Sequence, residues 1–193
     1  MKHLSSIFWS LCLIIICSCG NSGQKRIVSE TPIKTTVLGL QLCSKASESS
    51  IRTAISKATN LYIYSEEKRY EGGPIVRIQP ASYFNYGGLS WHYVDVRLSK
   101  DNLIVSVAIM ASYENLEMAK KQFLDATRIF TRKYGSGNQK GEQTVFWTDN
   151  TNSVGLNYEE SSTIAGNTRS FCTLYYVNIA LSDEWDKNNV PDV

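Results

Sequence analysis

The 193-residue chain is poor in the residues that most often carry enzyme chemistry. It has two histidines, and His3 falls in an amino-terminal stretch that reads as a processing segment, leaving His92 for the body of the protein. There is no Cys-x-x-Cys, no His-Glu-x-x-His and no EF-hand loop, which removes the usual spacings for zinc and calcium. No Gly-x-Ser-x-Gly elbow is present. Asp149-Asn150-Thr151-Asn152 is rich in oxygen donors but reads as a turn between strands, so no metal and no other cofactor is expected. Charge of one sign is also missing. Twenty Lys and Arg face 18 Asp and Glu, a formal net charge of +2. That balance gives no electrostatic case for nucleic acid as a partner, nor for affinity to an acidic membrane surface. Long apolar runs are absent too. The most continuous, Ile7 to Ile16, has ~10 residues, about half of what a helix needs to cross a bilayer.

That short run fits a signal. Lys2 supplies a positive start, Ile7 to Ile16 the apolar middle, and Ile16-Cys17-Ser18-Cys19-Gly20 the end. This end resembles a lipobox, the cleavage and acylation signal of bacterial lipoproteins. It has an aliphatic residue three before the cysteine, a small residue directly before it, then Cys and Gly. Cys19 fits better than Cys17, which has bulky Ile16 directly before it. The resemblance implies that residues 1–18 are a lipoprotein signal peptide and that Cys19 is lipidated. It also implies a place in the cell envelope, lipid-anchored to the outer membrane or to the periplasmic face of the inner membrane. Two acyl chains, at ~0.8 kcal/mol per buried methylene, hold a protein on a bilayer durably. No basic patch or amphipathic helix is needed for attachment, and none is evident in the sequence.

Cys12 and Cys17 leave with such a signal and Cys19 takes the lipid, so Cys43 and Cys172 remain. In an oxidising compartment they either pair, adding about 4–5 kcal/mol in the chain-entropy model, or stay as two buried, inert thiols. Residues 19–36 are mostly polar, show no sustained period, and read as the lipidated Cys plus a flexible tether. Residues 37–182 then form a single domain, and residues 183–193 a polar tail expected to fray.

Within the domain, Ile51, Ala54, Ile55 and Ala58 recur at helical spacing and predict a helix from about Ala46 to Ala58. Ser44 or Ser47 can cap it, and Glu48 suits the positive end of its dipole. Strands follow at Leu61–Tyr64 and Pro74–Gln79. Leu89–Leu98 alternates Val94, Val96 and Leu98 with Tyr93, Asp95 and Arg97. After the polar turn Ser99–Asn102, apolar Leu103–Met110 returns as its hairpin partner. A second helix, Tyr113–Tyr134, aligns Leu116, Ala119, Phe123, Ala126, Phe130 and Tyr134. Arg128, Arg132 and Lys133 complement its negative end, and it stops at Gly135. Beyond a loop over 135–142, three more strands are expected at Gln143–Thr148, Ser153–Glu159 and Ser170–Leu181.

Short connections favour antiparallel pairing. The class is therefore α+β: a mostly antiparallel sheet with two helices packed on one face, in two rounds of helix followed by strands. That order is similar to the β-lactamase-inhibitor-protein-like (BLIP-like) topology of small secreted bacterial modules, over roughly residues 37–181. It implies a fold and no activity. Gly39-Leu40, Lys133-Tyr134-Gly135 and Phe146-Trp147 also look like patterns in a family of envelope lipoproteins.

Nucleophilic catalysis would need His92 beside Cys43 or Cys172, with a third group orienting the imidazole. Cys43 precedes a helix, whose dipole can lower a thiol pKa, whereas Cys172 sits in a β-run and reads as structural. Gly135-Ser136-Gly137-Asn138-Gln139-Lys140-Gly141 superficially resembles a phosphate loop, but its Lys precedes the last Gly and it follows a helix. Glu66-Glu67 and Glu159-Glu160 are sequence neighbours at strand ends, so each pair splits across two faces. No catalytic residue is assigned.

The stretch with the most binding potential is Pro80–Tyr93. Tyr83, Phe84, Tyr86, Trp91 and Tyr93 crowd around Gly87-Gly88, with His92 among them. Exposed, such rings stack on sugars or anchor a protein; buried, they plug one end of the sheet. The expectation is a membrane-anchored, non-enzymatic envelope module that binds a protein, a glycan or another envelope component. A hydrolase with an unrecognised site and an assembly subunit that uses its edge strands are the rival readings.

Overall fold

The alternation of Tyr93–Leu98 builds the hairpin it predicts. In a computed structural model, which describes residues 27–162 and 168–187, strand β7 (Tyr93–Leu98) turns through Ser99–Asn102 into β8 (Ile104–Tyr113). Arg97 lies opposite Ser106 and Leu98 opposite Ile104, so Val105 is an extra residue, a bulge that turns its side chain to the other face. Before this hairpin come β1 (Thr36–Val37), β2 (Leu40–Gln41), helix α1 (Glu48–Thr59), β3 (Ile63–Tyr70), β4 (Gly73–Pro80), β5 (Phe84–Tyr86) and β6 (Leu89–Trp91). After it come α2 (Leu116–Tyr134), β9 (Asn138–Gln139), β10 (Thr144–Thr148), β11 (Asn152–Ser162), β12 (Thr168–Asn178) and α3 (Ile179–Lys187). Eight strands form one sheet in the order β3-β4-β7-β8-β12-β11-β10-β9, every pairing antiparallel. The expected α+β class is what the chain adopts.

Local chemistry sets the helix ends. Ser47 accepts from the Ser50 amide while the Ser50 hydroxyl accepts from the Ser47 amide, a capping box with serine in place of the usual glutamate. Asn115 caps α2 by accepting from the Met118 amide, so this helix starts after Tyr113, which completes β8. Ile51 and Ile55 of α1 and Ala119, Phe123, Ala126 and Phe130 of α2 share one core with Val76, Val96, Val107, Leu156 and Leu174 of the sheet. Both helices therefore cover the same face.

The differences from expectation have simple causes. β3 continues through Ser65–Arg69 because it is an edge strand, where alternating charges are tolerated and discourage pairing with another chain. Leu89–Leu98 breaks at His92, and Leu89–Trp91 pairs with Phe84–Tyr86 as a small hairpin of its own. The loop after α2 contributes the short strand β9, so four strands, and not three, follow that helix.

Two expected boundaries are corrected. The chain after Ser182 forms the second half of α3 through Lys187, on the sheet face opposite α1 and α2, because Trp185 is buried there against Ile75 and Val105. Trp185 donates to the Leu98 carbonyl at 3.1 Å, and its ring lies 4.3 Å from the guanidinium of Arg97, which is 1% exposed and pairs with Asp186. Residues 27–35 of the expected tether lie on the domain. Ile33 is buried, its amide donates to Asp149 at 2.7 Å, and the Ser29 amide donates to the Thr148 carbonyl at 2.7 Å. Residues 19–26 fall outside the described residues.

Gly155 of β11 sits opposite Tyr175 of β12, and the phenol ring lies directly across it. A methyl group at 155 would overlap that ring. Gly155→Ala is expected to cost ~1–3 kcal/mol through overpacking, read as a lower urea midpoint at unchanged m-value.

Candidate functional site

The aromatic stretch Pro80–Tyr93 divides in two. Gly87 and Gly88, with φ of 65° and 81°, make a two-residue turn that folds β5 against β6. Phe84 and Trp91 face each other across this hairpin and are both buried in the core. The Trp91 indole donates to the Tyr86 carbonyl at 2.9 Å. The Tyr86 hydroxyl, half-buried, donates to that of Tyr176 at 3.2 Å, and burial pushes its pKa up. Phe84, Tyr86 and Trp91 thus clamp the hairpin to the sheet. The expectation that they offer a ligand surface is corrected.

Tyr83, His92 and Tyr93 meet at the surface. Tyr83 is 63% exposed, and its ring centroid lies 3.8 Å from that of His92. Tyr93 and Tyr113 stand 5.8 and 6.4 Å from the same imidazole. The Ser112 amide donates to His92 Nδ1 at 2.8 Å, so the neutral ring carries its proton on Nε2. Protonating Nδ1 would set one N–H against another. Burial, and secondarily the charge of Arg169, hold the His92 pKa below the ordinary histidine range. Behind it, Tyr113 bonds Gln122 of α2, and Gln122 donates to the Ser90 carbonyl at 3.1 Å. Burial, then Cys172 and Tyr83, push Tyr113 up to about 12. These groups form a rigid wall under an exposed ring.

On the other face of the sheet the register sets a second row. Tyr64 lies opposite Gln79, and Ile78 opposite Val94, which sets Gln79 beside Tyr93. Tyr64, Gln79 and Tyr93 therefore share one row on the face away from α1 and α2, with Tyr64 and Tyr93 about 10 Å apart at two strand spacings. Tyr62 packs edge-on against Tyr64 at 5.1 Å, and the two are 70% and 62% exposed. The sequence marks the Leu61–Tyr64 stretch only as strand, and nothing in it tells these tyrosines from buried ones. Beside Tyr62 an open cleft of about 580 Å³ is bounded by Arg52, Ser56, Lys57 and Asn60.

One row deeper on the same face, Arg77 grips the 1% exposed carboxylate of Asp95, with Nη2 at 2.7 Å and Nε at 3.0 and 3.2 Å from its two oxygens. Burial pushes the Asp95 carboxyl up while Arg77 opposes it. The pair is held by the sheet, not aimed into a cleft.

The thiols lie elsewhere. The Cys43 amide donates to the Ile104 carbonyl, whereas Cys172 lies opposite Ala111, seven residues further along β8. At about 3.3 Å per residue this is roughly 20 Å, far beyond the ~7 Å limit between bridged Cα atoms. Both are free thiols, Cys43 exposed and Cys172 buried. The candidate Cys43–Cys172 disulfide is therefore not made, and the alternative of two buried thiols holds for Cys172 alone. Partial burial of Cys43 and full burial of Cys172 push both pKa values up, and Cys43 lies four residues before the Ser47 cap, outside the first turn where the helix dipole acts. The glycine-rich loop 135–141 is structural: the Gly135 carbonyl accepts from the Trp147 indole at 2.8 Å, and Asn138 binds the backbone of Ile27. Among the described residues, no three His, Cys, Asp or Glu gather as a metal site. No family model matches the sequence, no curated protein matches it, and no solved structure matches the fold.

The depressed pKa of His92 makes a pH prediction. The folded state binds this proton less tightly than the unfolded chain, so the contribution is full above pH ~6.5 and is lost as pH falls toward the folded value. His92→Asn keeps an acceptor near the Ser112 amide without titrating. Urea midpoints measured between pH 7.5 and pH 5 (a range of about 2.5 units around the ordinary histidine pKa) should fall less steeply in His92→Asn than in the parent.

Proposed function

We propose that the chain is a lipid-anchored binding module of the cell envelope, held at Cys19 and presenting its tyrosine rim to a glycan. The observation that carries the ligand side is the exposure of Tyr62, Tyr64 and Tyr83 at the end of the sheet that also holds His92 and Tyr93. Sugars present flat C–H faces that stack on aromatic rings and hydroxyls that need fixed neutral hydrogen-bonding partners. Gln79 and the Nε2–H of His92 supply such partners between the rings. The anchor side is supported by the ordered lipobox features around Cys19. A binding role is favoured over hydrolysis because His92 uses Nδ1 on a backbone amide, the two thiols lie far apart, and burial raises the pKa of each.

Intact mass of the protein from a bacterial host is expected to match a chain beginning at an acylated Cys19. Cys19→Ala should leave the precursor uncut. Titration with soluble envelope glycan fragments should quench the intrinsic fluorescence. Tyr83→Ala and Tyr64→Ala should each weaken binding about 5-fold, near 1 kcal/mol, with no change in urea midpoint. A parent protein that binds none of the fragments, or variants that bind as tightly as the parent, would overturn the glycan reading.

A further inference from the structure

An orientation of the domain on its membrane rests on the proposed lipid anchor at Cys19, and it follows because the chain between Cys19 and the domain is short. Ile27 is pinned to Asn138 of β9 by two hydrogen bonds, amide to Oδ1 and Nδ2 to carbonyl, each 2.7 Å. Ser29 donates its hydroxyl to the Tyr134 carbonyl at the last turn of α2. Residues 20–26 alone separate Cys19 from this attachment. Eight residue steps reach at most about 28 Å and, as a coil, roughly 15 Å. An acylated Cys19 therefore keeps the β9–β10 edge and the end of α2 close to the bilayer.

The helix-covered side is where the positive charge collects. The exposed side of α2 carries Lys120, Lys121, Arg128 and Arg132, with Lys133 in its last turn, and α1 adds exposed Arg52 and Lys57. Against these seven cations the two helices hold only Glu48, Glu117 and Asp125. Two of the three are engaged: Glu48 accepts from the Ser65 hydroxyl, and Asp125 pairs with Arg128 at 3.1 Å. The helices thus net four positive charges, more than the +2 of the whole chain, so the remainder is net negative. Leu124 and Met118 stand exposed among the lysines. Lys25 and Arg26 adjoin the pinned Ile27 in sequence. Cations flanking a few exposed aliphatic side chains suit a surface of anionic headgroups over a shallow apolar boundary.

We propose that the outer side of α2 lies on anionic phospholipid headgroups, leaving the opposite sheet face, with the row of Tyr64, Gln79 and Tyr93, turned away from the bilayer. That row also sits toward the β3 edge, at the far side of the sheet from β9. One short link, one basic layer and one aromatic face thus give the domain a fixed up and down.

The test uses the full lipidated protein in a Cys43→Ser background, with Cys172 buried and unreactive to label. One fluorophore is placed at Leu124→Cys and, separately, one at Tyr64→Cys. Phosphatidylcholine vesicles with or without phosphatidylglycerol carry a headgroup-attached quencher. Quenching is expected to be several-fold stronger at 124 than at 64 in the anionic vesicles. The difference should shrink in neutral vesicles, and also near 1 M salt, where the Debye length is about 3 Å. The variant Lys120→Gln, Lys121→Gln, Arg128→Gln, Arg132→Gln should lose the difference while still floating with the vesicles. Equal quenching at the two positions in protein that floats overturns the orientation alone, as does a difference that survives the four substitutions. Protein that fails to float overturns the anchor, and the orientation with it.

Discussion

The pairing of β8 with β12 holds the two halves of the sheet together. On one side of that seam lie β3, β4, β7 and β8, which follow α1; on the other lie β9 to β12, which follow α2. The register from Ser170–Tyr113 to Val177–Ser106 sends Val107, Ile109, Ala111, Leu174 and Tyr176 toward the helices. It sends Ala108, Met110, Thr173 and Tyr175 the other way. A slip of one residue would reverse every one of these choices on one half relative to the other, since side chains alternate strictly along a strand. The common core under both helices, the bulge that turns Val105 toward Trp185 and the row that joins Tyr64 to Tyr93 all presuppose this register.

Much of this was legible because periodicity reports burial directly. The α1 and α2 stripes and the β7–β8 hairpin needed nothing but spacing. What escaped were features decided by a single distant contact. Residues 183–187 read as a polar end, and only the seat of Trp185 between Ile75, Val105 and Arg97 makes them helix. Residues 27–35 read as linker, and only contacts with residues a hundred or more positions away, Tyr134, Asn138, Thr148 and Asp149 among them, dock them. A two-residue strand such as β9 has no period to detect.

The candidate site was half visible for a related reason. Composition located the aromatic stretch but not which rings face out. Phe84 and Trp91 became core because the Gly87-Gly88 turn sets them opposite each other under the sheet, while Tyr83 precedes the hairpin and escapes burial. Tyr62 and Tyr64 look in sequence like any β-forming residues. The exposure of Tyr64 follows from its place on the outer strand, on the face that α1 and α2 leave uncovered, and Tyr62 stands just before that strand. Likewise Cys43 and Cys172 could be imagined paired until the sheet placed them at different stations along β8.

Net charge leaves out a similar kind of information, because a sum discards position. Taken over the whole chain, +2 argues against affinity for an anionic surface. The fold redistributes it for reasons local to each helix. Lys57, Arg132 and Lys133 sit in last turns, where the negative end of the dipole favours them. Lys120, Lys121 and Arg128 occupy the solvent side because the apolar stripe of α2 leaves no other side for long charged chains. On the sheet, by contrast, charges of both signs alternate: Glu66 with Lys68, Glu67 with Arg69, Arg77 with Asp95. Helix chemistry thus makes one side of the molecule basic and sheet register makes the other aromatic and charge-balanced. Two surfaces of different character arise from a chain whose totals are unremarkable.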